Sequence, residues 1–451
     1  MIRLTSLLAC LTVTAACEPV TETFVDAATD ADPTDAIPAD ATEGSVTITV
    51  VGDDGDPAGT VRGMPRAGVD VYFIRPEGTV QKVTSAADGT ATATLVAGSF
   101  AVVARKPDVR NLYVTVFADL APGMALTAGD RPDPPATTST GRVTFTMNPV
   151  AGASYYSLAT SCPFGFPSGS NGTLTAQFSQ GCPQLTSATV VMSAHNSAGG
   201  TIMYATRAGL NIPALVNTTQ SLGASLAPAT TITTYNGIPA GVTSIDNRTQ
   251  LRQDGTAFGN AQANADVSGA TLLISQPIAA VGNHTSIASR YFPTGNLLSV
   301  EHRRRVTSQQ LTTTLDVGAN IIPFSTQPSY DPVSRAGGWT LSGGGPGRRA
   351  DAFYAQGGYN LPNQSFVSIT VIGDGARTSV TLPPLPPELA GFAATVGTTG
   401  NFYNFCLIDI VGAAGYADVV ETMSAEARQV LYDQAAFPAA TEYWFSASNP
   451  S

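Results

Sequence analysis

Residues 68–104 read GVDVYFIRPEGTVQKVTSAADGTATATLVAGSFAVVA. Val69-Asp70-Val71-Tyr72-Phe73-Ile74 is rich in β-branched and aromatic residues and reads as a strand. Gln81 to Ser85, Thr90 to Leu95 and Ala101 to Ala104 read as three more. Asp88-Gly89 supplies a left-handed turn before Thr90, and Gly98-Ser99-Phe100 turns the chain into the fourth strand. Upstream, Val46, Ile48 and Val50 alternate as a strand, after which Gly52-Asp53-Asp54-Gly55-Asp56-Pro57 forces a turn. Downstream, Leu112 to Ala118 closes the set. Short strands at this spacing predict a small β-sandwich over residues 45–130.

The order Gly68-Val69-Asp70-Val71, Thr84, Asp88-Gly89 and Ala97-Gly98-Ser99-Phe100 resembles carboxypeptidase-regulatory-like domains of the transthyretin-like sandwich class. The resemblance implies a non-catalytic spacer or binding module beside something else. Asp53, Asp54 and Asp56 are candidate binding residues within one turn. Calcium takes about six to eight oxygens, and adjacent acids do not converge on one ion without ligands from elsewhere. A solvent-exposed turn is the plainer reading.

The N-terminus has the three parts of a secretory signal: Arg3, an apolar core from Leu4 to Val13, and small residues Ala15 and Ala16. That core is too short to cross a bilayer as a helix, which takes about 20 apolar residues. Val13-Thr14-Ala15-Ala16-Cys17 resembles a bacterial lipobox, with Thr14 where that family usually has Leu. The resemblance implies removal of residues 1–16 as a lipoprotein signal peptide and acylation of Cys17. The partner would then be a lipid membrane, held by two or three acyl chains, and the address the cell envelope, at the outer membrane or cell surface. Cleavage near Ala16 as an ordinary signal, with Cys17 incidental, is the alternative.

Residues 17–44 hold Glu18, Glu22, Asp26, Asp30, Asp32, Asp35, Asp40 and Glu43 and no basic residue. With little apolar mass to bury, this stretch is expected to be a disordered acidic tether. It would reach at most about 90 Å extended and roughly 30 Å as a coil, enough to lift a folded body off a membrane. It also accounts for most of the net charge of -11. The remaining body is near neutral, and Lys82 and Lys106 are its only lysines. The one basic cluster is His302-Arg303-Arg304-Arg305, whose side chains alternate sides in a strand; we expect a solvated edge or a salt-bridged surface strand there, and no nucleic-acid partner.

About 400 residues are too many for one core and predict two to four domains. The 44 glycines and 31 prolines, with abundant Thr, Val and Ser, predict a mainly β chain of tandem β-sandwich modules. Asp130 to Thr140, DRPDPPATTST, reads as a linker. A second β-sandwich is expected over 141–225, with strands at Arg142 to Thr146, Ser154 to Thr160, Ala188 to His195 and Thr201 to Thr206. Its Tyr155-Tyr156 strand and the turn from Ala194 to Gly200 loosely resemble fibronectin-type-III-like repeats. A third β-rich unit, a sandwich or barrel-like, is expected over 226–451. Its strands are Thr271 to Ser275, Leu297 to Arg303, Leu311 to Val317, Phe366 to Ile372, Thr378 to Leu382 and Phe402 to Val411. Gly337 to Gly347 reads as a flexible glycine-rich loop, and Pro383-Pro384-Leu385-Pro386-Pro387 as a stiff extended segment. One short helix is expected near the C-terminus, from Ser424 to Gln434.

The sequence assigns no catalytic residue, metal ligand or cofactor. His195, His284 and His302 stand apart, with no paired-His spacing for zinc. There is no G-x-S-x-G elbow and no S-x-x-K pair. Gly343-Gly344-Gly345-Pro346-Gly347 with Arg348-Arg349 could cradle an anion, but its proline removes a donor and no strand-to-helix context surrounds it. Two functions from different classes follow. The first is a non-enzymatic, surface-displayed or periplasmic lipoprotein whose modules serve adhesion, envelope structure or binding of a protein or carbohydrate. The alternative is a polysaccharide or ester hydrolase with an accessory transthyretin-like domain; two carboxylates in one cleft, or a histidine touching Ser and Asp, would favour it.

Export leaves Cys162, Cys182 and Cys406 in an oxidising setting, which allows three single pairings. Cys162-Pro163 and Cys182-Pro183 bound the stretch from Ser168 to Ser179, read as a loop. Closing about 20 residues contributes roughly 3 kcal/mol. Cys406 lies in a run apolar on both faces. We expect a Cys162–Cys182 disulfide, with Cys406 free and buried.

Overall fold

The strands read in residues 68–104 form as Asp70–Ile74, Val80–Thr84, Thr90–Leu95 and Ser99–Arg105, flanked by Gly44–Val50 and Asn111–Leu120. Gly89 has φ of 79°, and a Cβ there would lie 2.5 Å from the Val50 carbonyl oxygen. Backbone conformation and space both demand glycine at this turn. The Asp88 carboxylate accepts the Thr90 amide at 3.0 Å and the Thr90 hydroxyl at 2.7 Å, fixing the turn from its other side.

This computed structural model describes residues 42–52, 64–106, 110–129, 139–162, 167–179, 185–253, 256–278, 284–293, 298–306, 311–413, 415–423 and 442–448. The protein is mainly β, built from several sheets with a few short helices. Among the described residues no helix is long and apolar enough to cross a membrane. The helix near the C-terminus is Tyr416–Met423. The stretch from Ser424 to Gln434, where a helix is expected, lies outside the described residues.

One open sheet organises the body. Its twelve strands run in the order Thr256–Asp266, Val242–Gln253, His284–Pro293, Leu298–Val306, Glu442–Ser448, Gly400–Ile410, Ala352–Asn360, Phe366–Asp374, Asn111–Leu120, Ser99–Arg105, Asp70–Ile74, Val80–Thr84. The strands of 45–130 and those of 226–451 thus belong to one sheet. They join where Phe366–Asp374 runs parallel to Asn111–Leu120, with Ile369 opposite Val114 and Val371 opposite Val116. Alternating valine and isoleucine on both sides of this seam bury it on both faces, as parallel pairing requires.

On one face, the sheet formed by Thr90–Leu95, Gly44–Val50 and Ala125–Ala128 packs Val46, Ile48, Val50 and Leu126 against Val71, Phe73, Val103 and Phe117. Val419 and Val420 of the Tyr416–Met423 helix extend the same core. On the other face, two three-stranded sheets contribute. Ala229–Asn236, Thr271–Ile278 and Thr312–Asp316 bring Tyr235, Ile274 and Leu315; Phe324–Asp331, Ala336–Ser342 and Ser379–Thr381 bring Phe324, Trp339 and Val380. Strands of 139–221 pair among themselves in sheets of three and four around Phe145, Leu158, Phe178 and Met192.

Three readings are corrected. The stretch from Ser168 to Ser179 is not a loop: Thr173–Ser179 pairs with Ser139–Thr146 and buries Leu174, Ala176 and Phe178 by simple alternation. Gly337 opens no flexible loop either, since Ala336–Ser342 is a strand holding the buried Trp339. Beyond it the chain is packed as well: the Gly345 amide donates to the Ile321 carbonyl at 2.7 Å, and a Cβ at Gly345 would meet the Gly318 carbonyl oxygen at 2.6 Å. Finally, the strand carrying His302 to Arg305 is an interior strand, with neighbours on both sides.

Candidate functional site

The stiff segment read at Pro383 to Pro387 is a strap across the second face of the large sheet. It leaves the Ser379–Thr381 strand at Leu382, runs extended through the prolines and ends in a 3-10 turn, Pro387–Phe392. Proline suits this path because it fixes an extended backbone and has no amide to leave unpaired. Leu382 and Arg335 exchange bonds, the Leu382 amide to the Arg335 carbonyl at 2.9 Å and Arg335 Nε to the Leu382 carbonyl at 3.0 Å. At the far end the buried Tyr359 hydroxyl donates to the Phe392 carbonyl at 2.9 Å. Both lysines of the chain meet the strap. Lys82 Nζ lies 3.2 Å from Glu388, and Lys106 Nζ lies 5.0 Å above the Phe392 ring. The Lys82 pair is exposed and contributes little; the buried hydroxyl bond is worth about 1 kcal/mol.

Beneath the strap is a cavity of about 150 Å³. Its floor is Val102, Val114, Val116 and Ile369, which the pairing of Val102 with Val116 and of Val114 with Ile369 puts on one face. Tyr330 and Tyr359 form walls, Pro383, Pro384 and Leu385 the roof, and Pro332, Val333 and Arg335 the rim. The rim is a tight turn: the Asp331 carboxylate accepts the Val333 amide at 3.0 Å and the Ser334 hydroxyl at 2.6 Å. Those bonds, Ser334 first, hold the Asp331 carboxyl below its ordinary range. Burial pushes the Tyr359 hydroxyl up to about 12 and raises that of Tyr330 as well, so both stay neutral. Arg335 is half-buried with φ of 61°, a left-handed conformation uncommon outside glycine, and no carboxylate among the described residues pairs with it.

Three polar clusters lie elsewhere, and none of their residues lines this cavity. Asp351 and Asp409 share a corner with Arg348, which pairs with Asp409, while Asp351 accepts the Ile410 amide at 3.1 Å. Burial pushes the Asp409 carboxyl up to about 6, against the pull of Arg348 and with the help of Asp351; burial raises Asp351 too. Glu301 is buried between Arg303 and Arg290; burial alone would raise its carboxyl, but the two guanidinium groups hold it below the ordinary range. Beside it, His302 Nε2 lies 2.8 Å from Glu442, and the His302 ring stacks on Trp444 at 4.2 Å. In the 139–221 sheets, His195 Nε2 meets the Ser157 hydroxyl at 2.7 Å, and His195 Nδ1 meets the Gly199 carbonyl at 3.2 Å. That carbonyl can only accept, so Nδ1 carries the proton and Nε2 accepts from Ser157. Burial lowers the His195 pKa and keeps the ring neutral.

Of the residues singled out in the sequence, Cys17, Cys182, Asp53, Asp54 and Asp56 lie outside the described residues. Cys162 is fully buried after the Tyr155–Thr160 strand, and Cys406 is buried and free. The prolines of the strap are visible in the sequence as a stiff segment. Arg335 carries no such signal: nothing in Val333-Ser334-Arg335 distinguishes it from an exposed turn.

No family model and no curated protein matches the chain. Among solved structures it is similar to the Bacillus anthracis TIE protein, at 10% identity over 61% of this chain and 50% of that one, with a TM-score of 0.15. The chain thus spans about half the length of that protein. BcpA, the major pilin subunit of Bacillus cereus, matches at 10% identity over 61% of this chain and 98% of its own, TM-score 0.15. A DUF3823 family protein from Parabacteroides merdae matches at 9% identity over 57% and 94%, TM-score 0.15. Likeness at this level carries no functional argument.

Proposed function

We propose that the chain is an exported, lipid-anchored envelope protein whose β body is displayed on the acidic tether and binds rather than transforms its ligand. The observation that carries this is the twelve-stranded sheet with a strapped apolar cavity on one face, while the titratable groups most suited to chemistry lie outside that cavity and have partners within the fold. Asp409 is held by Arg348, Asp351 by a backbone amide, and His195 by Ser157 and a carbonyl. The lipobox-like run ending at Cys17 supplies the anchor. Mass spectrometry of the mature N-terminus is expected to find acylated Cys17, and Cys17→Ser to release the protein from membranes; a mature N-terminus at any other residue overturns the anchor. Hydrolysis of aryl esters or polysaccharides abolished by Ser157→Ala or Asp409→Asn would overturn the non-enzymatic reading.

Export also fits a Cys162–Cys182 bridge. Its support is that Cys162 and Cys182 flank the Thr173–Ser179 strand in sequence while Cys406 is buried and free. Non-reducing peptide mapping checks it, and a bridge to Cys406 would overturn it.

A further inference from the structure

We propose that the cavity under the proline strap binds a single aromatic ring carrying a carboxylate, the ring on the apolar floor and the carboxylate on Arg335. The proposal rests on reading the body as a binding protein and names its ligand class. Size comes first. Pockets for drug-sized molecules hold about 300 to 1,000 Å³, whereas an apolar cavity of about 150 Å³ accommodates benzene. The cavity here is about 150 Å³ and so takes one ring, with any further group at the mouth.

Shape comes second. Two tyrosine rings and the prolines of roof and rim give flat surfaces, above the branched side chains of Val102, Val114, Val116 and Ile369. A planar ring packs on flat walls with less lost freedom than a flexible alkyl chain. The walls are also fixed: Tyr330 stacks on Phe402 at 5.1 Å, and the Tyr359 hydroxyl is spent on the strap.

Charge comes third. Arg335 is the cation of the lining, and its Nε bond to the Leu382 carbonyl orients the guanidinium while leaving its terminal nitrogens for an anion. A guanidinium matches a carboxylate by two parallel bonds. A non-glycine residue with φ of 61° carries backbone strain, and such strain recurs at ligand-holding positions. Its neighbours are pinned by Asp331, so the guanidinium is presented from a rigid turn.

The experiment is titration of the full chain with phenylacetate and with toluene, followed by calorimetry and by the methyl resonances of Val114, Val116 and Ile369. Phenylacetate is expected to bind with Kd on the order of 0.1 to 1 mM, the range open to a ligand of about ten heavy atoms. Toluene is expected to bind more weakly. Arg335→Gly removes the guanidinium and relaxes the left-handed backbone, so its fold is kept. It is expected to weaken phenylacetate at least about tenfold and to leave toluene unchanged. Arg335→Lys should recover part of the loss. If toluene binds and phenylacetate gains nothing from Arg335, the carboxylate class is overturned and the cavity keeps its binding role. If neither ligand moves the methyl resonances at about 10 mM, a concentration well above the expected Kd, the binding reading falls as well.

Discussion

The two ends of the twelve-stranded sheet are packed by different chemistry. At the end holding Asp70–Ile74, Ser99–Arg105 and Asn111–Leu120, the buried residues are mostly apolar, among them Val71, Phe73, Ala101, Val103 and Phe117, with Ser99 and Thr115 the buried polar ones. At the end holding Val242–Gln253, His284–Pro293, Leu298–Val306 and Glu442–Ser448, Asn247, Thr249, Ser289, Glu301, His302 and Ser446 are buried among Tyr291, Val300 and Trp444. The first end is held by apolar area, which is tolerant of how the pieces are arranged. The second is held by pairs that work in one arrangement only, such as Asn247 Nδ2 with Thr233 Oγ1 at 3.0 Å. Such a bond favours one seating of the Ala229–Asn236 strand on the large sheet, and breaking a buried pair is costly.

The sharpest way to break this comparison is to strike one residue at each end. Glu301→Ala leaves the mostly buried Arg303 without its carboxylate, so we expect a loss of about 4 kcal/mol, read by urea or thermal unfolding. Glu301→Leu combined with Arg303→Leu should recover most of that loss, because neither charge is then stranded. Phe73→Ala opens a cavity in the apolar end and should cost about 3 kcal/mol. A Glu301→Ala protein as stable as the parent would mean that the polar end is wet, and the contrast between the ends would fail.

The two kinds of buried acid should also respond to pH in opposite directions. Glu301 has a depressed carboxyl, so its contribution is present above the ordinary carboxylate range and is lost as the pH falls through its folded value. Asp409 is the reverse. Its carboxyl is pushed up to about 6, so the folded protein holds that proton more tightly than the unfolded chain does. The contribution is complete below about pH 4 and is lost as the pH rises through about 6, and after discounting for the partly exposed Arg348 it amounts to about 2 kcal/mol. Asp409→Asn keeps a neutral group there at every pH. The parent should lose about 2 kcal/mol relative to that variant between about pH 4 and pH 7, and a difference profile flat with pH would show that folding does not raise the Asp409 carboxyl.

The same contrast explains what was legible in the sequence. At the apolar end, alternation and turn glycines place the strands within a residue or two: Gln81 to Ser85 is Val80–Thr84, and Leu112 to Ala118 lies within Asn111–Leu120. At the polar end, VTSIDNRTQLRQ and TAFGNAQANAD form long strands yet carry few large apolar residues, because the groups they bury include Asn247 and Thr249. A hydrophobic-period reading passes over such strands. Ala352–Asn360 was hidden for another reason. Its alternation is interrupted by Gly357 and Gly358; a Cβ at Gly357 would lie 2.5 Å from the Asn401 carbonyl oxygen, so glycine there admits a close neighbour. The strap was visible as prolines, while the cavity beneath it depends on strands more than 200 positions apart, with Val114 meeting Ile369, and no local pattern announces that.

The smallest expected effect asks the most of the comparison, because it concerns one hydrogen bond. Tyr235, fully buried, meets the buried Ser289 hydroxyl at 2.9 Å across the gap between the Ala229–Asn236 strand and the large sheet. Tyr235→Phe keeps the ring and its packing against Tyr291 but leaves the Ser289 hydroxyl without that partner, at a cost of about 1 kcal/mol. Ser289→Ala should cost a similar amount for the mirror-image reason. The double variant removes both groups, so it should be less destabilised than the two single losses added together, since no polar group is left stranded. Additive losses would mean that each hydroxyl serves a separate partner and that the polar end is a set of independent sites. Sub-additive losses, measured as a double-mutant cycle by urea unfolding, would establish the pair as one unit that sets how the small sheet seats on the large one.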